Sequence, residues 1–281
     1  MKILICVNDL ITDEPGLAQG RLIARHFDAD ITLLHILPEE KMPGDRAKAE
    51  QLLEQANQIL DIYPVTHKIR RGNPVKRITK EAYRGEYDLV IVTISRIGDH
   101  SQTAAIHRQL LEETPCCLLV VKNPRVDVRR ILVCTGGLPL AENVIEIGAR
   151  FAVVFNAEIT LFHVAANIPT MYTGLKSIEE TLSGLLKTDT PVSRHLRRGA
   201  EILASYNIDA ELKLRHGEAV YEIVREIDIE DYDMVIIGST GANTRLKKLL
   251  YGNLTQEIVD AVGISVMVAN RNRPLPPKFN D

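Results

Sequence analysis

The chain has 281 residues, 45% hydrophobic and 25% charged, with a formal net charge of −3. That length suits two domains of about 140 residues, each able to bury a core. The near-neutral charge excludes the basic footprint of a nucleic-acid-binding protein, and no apolar run approaches a membrane span. The four cysteines contain no Cys-x-x-Cys and make no disulfide scaffold. They read as buried thiols of a reducing cytoplasm, with the adjacent Cys116-Cys117 pair as the redox alternative.

In chain order, short β-branched runs alternate with amphipathic stretches. The pattern predicts a strand over 3–7, a helix over 17–27, a strand over 31–37 and a helix over 45–61. A strand over 66–70, a helix over 75–84, a strand over 89–94, a helix over 102–113 and a strand over 117–121 follow. Asn123-Pro124-Arg125 breaks the pattern, because proline cannot continue the ladder. The series then restarts with a strand over 131–135, a helix over 140–155 and a strand over 158–165. Further helix is expected within 175–186, then a helix over 193–206, a strand over 210–215, a helix over 219–227, a strand over 234–238, a helix over 254–262 and a strand over 265–269. The tail 271–281, with three prolines, is expected to drape loosely.

The second series is a copy of the first. Lys2-Ile3-Leu4-Ile5-Cys6-Val7 returns as Arg130-Ile131-Leu132-Val133-Cys134-Thr135, and Ile31-Thr32-Leu33-Leu34-His35 as Ile159-Thr160-Leu161-Phe162-His163, both 128 positions on. Tyr87-Asp88-Leu89-Val90-Ile91-Val92 returns as Tyr232-Asp233-Met234-Val235-Ile236-Ile237, now 145 on, so 17 residues are inserted within 167–194. The inserted Ile168-Pro169-Thr170-Met171-Tyr172 could cap a pocket or meet another chain. Strand–helix alternation demands a mainly parallel sheet, since a crossover must return the chain. Nearly continuous apolar strands require helices on both faces. The reading is an α/β chain of two tandem domains, 1–123 and 128–270, each with five strands.

Ligands of such sheets bind beyond the carboxyl ends of the strands. There the second copy has Gly238-Ser239-Thr240-Gly241, a spacer, then Gly252-Asn253-Leu254 opening a helix. Glycines let backbone N–H groups approach a phosphate, and a helix start adds a positive dipole end. Ser239, Thr240 and Thr255 can add hydroxyls, and Asn253 an amide. The plainer alternative is a tight turn whose glycines supply positive φ. Gly136-Gly137 is a second anion-binding turn or simply space for its neighbour. The first copy reads Thr93-Ile94-Ser95-Arg96-Ile97-Gly98-Asp99-His100, without the second glycine and with an acid that repels phosphate. His35 and His163 read as structural histidines, and Arg194, Arg197 and Arg198 as a solvated face. No histidine has metal spacing and no Gly-x-Ser-x-Gly elbow is present.

Strand, Gly-x-x-Gly, spacer and Gly-Asn, with the Leu-Leu-His ending and the Tyr-Asp-Leu-Val strand, resemble the universal stress protein family. The resemblance implies Rossmann-like (adenine-nucleotide α-hydrolase-like) domains, each a five-stranded parallel sheet. It implies pairing through the last strands as an intrachain pseudo-dimer, and ATP binding in some members. Where such members end the first strand on Asp, this chain has Asn8 (beside Asp9) and Gly136. The spacer is one residue long, and Asn253 replaces Ser or Thr. The expectation is a cytoplasmic stress-response or regulatory binding protein holding ATP or a related nucleotide in the second domain. Its contacts would be Gly136, Val164, Ala165, Gly238, Ser239, Thr240, Gly241, Gly252, Asn253 and Leu254, with adenine beside Val164 and Ala165. Two alternatives stay open: a slow Mg²⁺-dependent hydrolase, whose metal carboxylate is missing at Gly136, and a ligand-free interaction module. A further homodimer is left open, and no nucleic-acid or membrane partner is expected.

Overall fold

The computed structural model describes residues 1–94, 100–136, 142–165, 182–239 and 254–270. Its strands are β1 (Lys2–Cys6), β2 (Asp30–Leu37), β3 (Val65–Arg71), β4 (Leu89–Thr93) and β5 (Cys117–Val121), then β6 (Arg130–Thr135), β7 (Glu158–Ala165), β8 (Glu211–His216), β9 (Met234–Gly238) and β10 (Ser265–Ala269). They form one sheet in the order β3-β2-β1-β4-β5-β10-β9-β6-β7-β8. Pairing is parallel within each half. β5 and β10 run antiparallel at the centre, with Leu119 opposite Met267.

The helices are α1 (Leu10–Phe27), α2 (Asp45–Leu60), α3 (Pro74–Arg84), α4 (His100–Glu113), α5 (Glu142–Phe155), α6 (Leu182–Leu186), α7 (Pro191–Ser205), α8 (Ala219–Ile229) and α9 (Leu254–Ala261). Alternate residues of each strand serve opposite faces. Ile3, Ile5, Ile131 and Val133 join Leu17, Leu53, Phe151 and Leu203 in one core, beneath α1, α2, α5 and α7. Leu4, Val90, Leu132 and Val235 join Ile78, Leu110, Ile223 and Val259 in the other, beneath α3, α4, α8 and α9. Both cores cross the junction between the halves, where Phe27 meets Phe151 with ring centroids 4.9 Å apart. The junction is also tied reciprocally. Lys122 Nζ donates to the carbonyls of Val259 and Val262 at the end of α9, and Asn270 Nδ2 to that of Thr114 after α4. Each half thus satisfies carbonyls at the other's helix C-terminus.

Two differences from the sequence reading have local causes. Helix α1 starts at Leu10 rather than Leu17 and runs through Pro15. The Asp9 carboxylate caps it by accepting from Ile11 N (2.6 Å) and Thr12 N (3.1 Å), which offsets the hydrogen bond that proline cannot donate. Of the helix expected within 175–186, α6 is described from Leu182; the earlier part, the start of 140–155 and the tail 271–281 lie outside the described residues.

A buried polar group is repeated in each half. In the first, Glu81 accepts from Lys68 Nζ (2.7 Å) and pairs with Arg70 (2.8 Å), while Tyr87 Oη donates to Thr32 Oγ1 (2.9 Å). In the second, Glu226 takes Lys213 (2.6 Å), Arg215 (3.5 Å) and the Tyr232 hydroxyl (3.2 Å). Burial alone would raise the Glu81 carboxyl, but its two cations outweigh that and hold it below the usual range.

Candidate functional site at the strand switch points

The chain order reverses twice in this sheet. β1 lies between β2 and β4, and β6 lies between β7 and β9. Beyond the carboxyl ends of β1 and β4, and of β6 and β9, the connections depart to opposite sides and leave a crevice. Duplication allows the two crevices to be compared residue for residue.

The first crevice is filled by the chain itself. Asp13, in the first turn of α1, turns its Oδ2 back to accept from Asn8 N (2.6 Å) and Asp9 N (3.0 Å). It also bonds the Thr93 side chain, and burial pushes its carboxyl above the ordinary range. Gly16 makes the space: a Cβ there would lie 2.2 Å from Thr93 Oγ1. With Asp9 Oδ1 taken up by the amides of α1, the N–H groups that could meet an anion after β1 are occupied by internal carboxylates. This adds to the missing glycine pattern in 95–99, which lies outside the described residues. Sequence reasoning looked to Asp9 and Asp99 and missed Asp13. The available signal was its position one helical turn after the capping Asp9.

The second crevice reverses each choice. The repeat puts Val144 where the first copy has Gly16, Gly238 where it has Thr93, Ala141 where it has Asp13, and Thr135 where it has Val7. Gly238 is half-buried at the end of β9, opposite Ala269. Its backbone is not in the positive-φ region, so the turn explanation does not apply to it. The constraint is space, because a Cβ would lie 3.1 Å from Val144 Cγ2. Ser239 N donates to Ala269 O (2.9 Å), and Thr255 Oγ1, in the first turn of α9, lies 3.5 Å from Gly238 O. The strand end Gly238-Ser239 and the helix start Leu254-Thr255 are therefore brought together. Thr240, Gly241, Gly252 and Asn253 lie outside the described residues.

Buried polar atoms without partners among the described residues occur in both halves, among them Gln19 Nε2 and Asn57 Oδ1 in the first, and three lie in the second domain on β6, α5 and α7. Thr135 Oγ1 at the end of β6, Asn143 Oδ1 in the first turn of α5 and His195 Nε2 on α7 are buried with no hydrogen-bond partner among the described residues. A buried unsatisfied group of this kind costs about 1–3 kcal/mol. Gly136 is exposed just beyond β6, and a Cβ there would meet open space. Val164 and Ala165 are half-buried at the end of β7. Val164 packs against the α8-side core, and Ala165 O accepts from Gly217 N (3.1 Å). The sequence-named positions on β6, β7 and β9 thus share one end of the sheet.

His35 Nδ1 lies 2.8 Å from Val7 O, and His163 Nδ1 the same distance from Thr135 O. Both tie the end of the second strand to the first, the structural role expected of them. His163 and His195 face each other with ring centroids 6.4 Å apart. Burial lowers the pKa of both. Among the described residues no group of three or more His, Cys, Asp or Glu side chains is placed to hold a metal ion. No helix there is long and apolar enough to cross a membrane.

A family model for the universal stress protein family matches the chain twice, over residues 1–122 and 127–270. Among solved structures the chain is similar to a universal stress protein from Archaeoglobus fulgidus, with 14% identity, 96% of each chain covered and a TM-score of 0.69. It is also similar to a functionally unknown protein from Pseudomonas aeruginosa, with 20% identity, 96% of this chain and 92% of that one covered, and a TM-score of 0.69. At these identities the likeness is one of fold. No curated protein matches the chain.

Proposed function

The chain belongs to the universal stress protein family, and we propose that it is a regulatory binding protein whose second domain alone takes an adenine nucleotide, ATP included. The observation that carries this reading is the contrast between the two crevices. The first is closed by Asp13 and Thr93. The second is edged by Gly238 and by the unpartnered Thr135 Oγ1 and Asn143 Oδ1. In this reading the phosphates meet backbone N–H groups of Gly238, Ser239, Thr240 and Gly241 and the α9 start at Gly252, Asn253 and Leu254. Gly136 leaves room beside them, and the base lies by Val164 and Ala165. Gly136 supplies no carboxylate for Mg²⁺, so the reading is binding rather than turnover. The four cysteines form no disulfide, two of them buried and two half-buried, which suits a reducing cytoplasm.

Isothermal titration of nucleotide-free protein with ATP and AMP, with and without Mg²⁺, tests the reading. One saturable site per chain is expected, lost in Gly241→Val with the fold retained. A folded, nucleotide-free protein that gives no saturable binding refutes it. Phosphate release at a steady rate in the same samples would replace binding with hydrolysis.

A further inference from the structure

The two edge strands of the sheet, β3 and β8, are repeats of one another, and so are the helices α3 and α8 that follow them. Their charges are not. Helix α3 reads Pro-Val-Lys-Arg-Ile-Thr-Lys-Glu-Ala-Tyr-Arg, with four cations and one acid. Helix α8 reads Ala-Val-Tyr-Glu-Ile-Val-Arg-Glu-Ile-Asp-Ile, with one cation and three acids. Arg77, Lys80, Glu81 and Arg84 are spaced i, i+3, i+4 and i+7, so they line one face of α3. That face looks onto Lys68 and Arg70 of β3 across a cleft of about 290 Å³ lined by these six residues and Gly85.

Glu81 is consumed by Lys68 and Arg70. Arg77, Lys80 and Arg84 form no ion pair among the described residues. Glu39 Oε2 and Arg77 Nε both lie beside Gly72, 2.7 and 3.1 Å from where a Cβ would stand, without forming an ion pair. In the second half the same positions are Glu222, Arg225 and Ile229, with Glu230 where Gly85 stands. There Arg225 is 3.7 Å from Glu222, and Glu230 pairs with Arg130 (3.0 Å) and Lys213 (3.2 Å). One copy of the cleft is therefore internally neutralised, and the other keeps three cations without an ion pair among the described residues. Those cations also work against α3 itself. They repel one another along the helix, and α3 carries no acid in its first turn, where the dipole favours one. Cations on an edge strand guard against sheet-to-sheet association, but that does not account for three more on the helix face opposite.

We propose that the β3–α3 cleft of the first domain binds a small polyanion of the oligophosphate kind, carrying three or more negative charges. The cleft is concave and too small for a folded partner, and its three cations without ion pairs among the described residues, with Lys68 and Arg70 beside them, offset most of the charge of a triphosphate chain. Two guanidinium groups can each grip phosphate oxygens in a bidentate manner. Such a chain could come free or as the tail of a nucleotide.

The test is calorimetry on the full chain with inorganic tripolyphosphate and, in parallel, ATP, at low and at near-physiological salt. Tripolyphosphate should bind saturably, one per chain, and affinity should fall at least tenfold in Lys80→Glu/Arg84→Glu, both exposed positions. Arg225→Glu, the matching change on α8, should leave it unaltered. If ATP binding falls with the same variant, the nucleotide is a source of the ligand. If ATP binding persists there while tripolyphosphate binding is lost, the free oligophosphate is the ligand and ATP occupies the second domain. No saturable tripolyphosphate binding overturns the proposal, as does an equal loss in Arg225→Glu. Capture of a polyglutamate peptide in place of tripolyphosphate overturns it too, making the cleft a protein-docking edge.

Discussion

Exchanging the side chains that distinguish the two crevices should show that they are packed as pairs. Gly238→Thr places a Cβ 3.1 Å from Val144 Cγ2 and adds two branch atoms beyond it. Overpacking of that size costs about 1–3 kcal/mol. Val144→Gly alone empties a site that is 2% exposed and puts glycine in a helix, about 3 kcal/mol in all. In the first half the same two positions hold Gly16 and Thr93, and they fit. The double variant Val144→Gly/Gly238→Thr should therefore be milder than the two single effects added, by about 1–3 kcal/mol. Urea unfolding of the four proteins, with slopes compared, measures this coupling. A coupling below about 0.5 kcal/mol would mean that Val144 and Gly238 do not constrain each other, and the packing account of Gly238 would fail. ATP binding, where present, should stay lost in the double variant, because the threonine still projects at the strand end.

Thr135→Val, which copies Val7 of the first half, should stabilise the free protein by about 1 kcal/mol by removing an unsatisfied hydroxyl, while weakening nucleotide binding; equal or higher affinity would take Thr135 out of the site. Burial, and then the Lys122 ammonium, lower His107 to about 4 against the opposing pull of Asp260. Between pH 6.5 and about 4 unfolding takes up a proton that the folded state refuses. Stability should therefore fall as pH falls through that window, by at most about 3 kcal/mol from this residue. Unfolding midpoints for His107→Gln should show a shallower slope there, and an unchanged slope would show that His107 titrates normally in the fold. Glu81→Gln should cost about 2–3 kcal/mol, because Lys68 and Arg70 lose their carboxylate while staying partly solvated. Glu226→Gln should cost less, since Lys213 keeps Glu230 at 3.2 Å and Glu211 at 3.4 Å. The reverse order would contradict that redundancy.

Most of the fold was legible before any coordinates. The 128-residue offset joining Ile3 to Ile131 and Ile31 to Ile159 announced the duplication. Apolar runs with helical stretches between them required a covered parallel sheet, because alternation and periodicity are local properties that report which face a residue serves. Glycines after β9 marked the end of the sheet to search, since a strand running into glycine reads directly from the chain. The boundary of α1 was misread because proline is a local signal and the Asp9 cap is stronger in context. What no local pattern could supply is who meets whom across elements. Asp13 closes the first crevice only because strand order sets β4 beside β1, bringing Thr93 over Gly16. Val144 explains Gly238 for the same reason in the second half. Lys122 and Asn270 exchange caps only because β5 and β10 pair antiparallel, which turns two halves into a reciprocal junction. The sequence by itself determined the elements, their duplication and the end of the sheet that could hold a ligand. Tertiary structure decided that Asp13 and Thr93 meet across the first crevice and Val144 and Gly238 across the second, because those are contacts between residues up to about 90 positions apart, brought together by the crossover connections of the sheet.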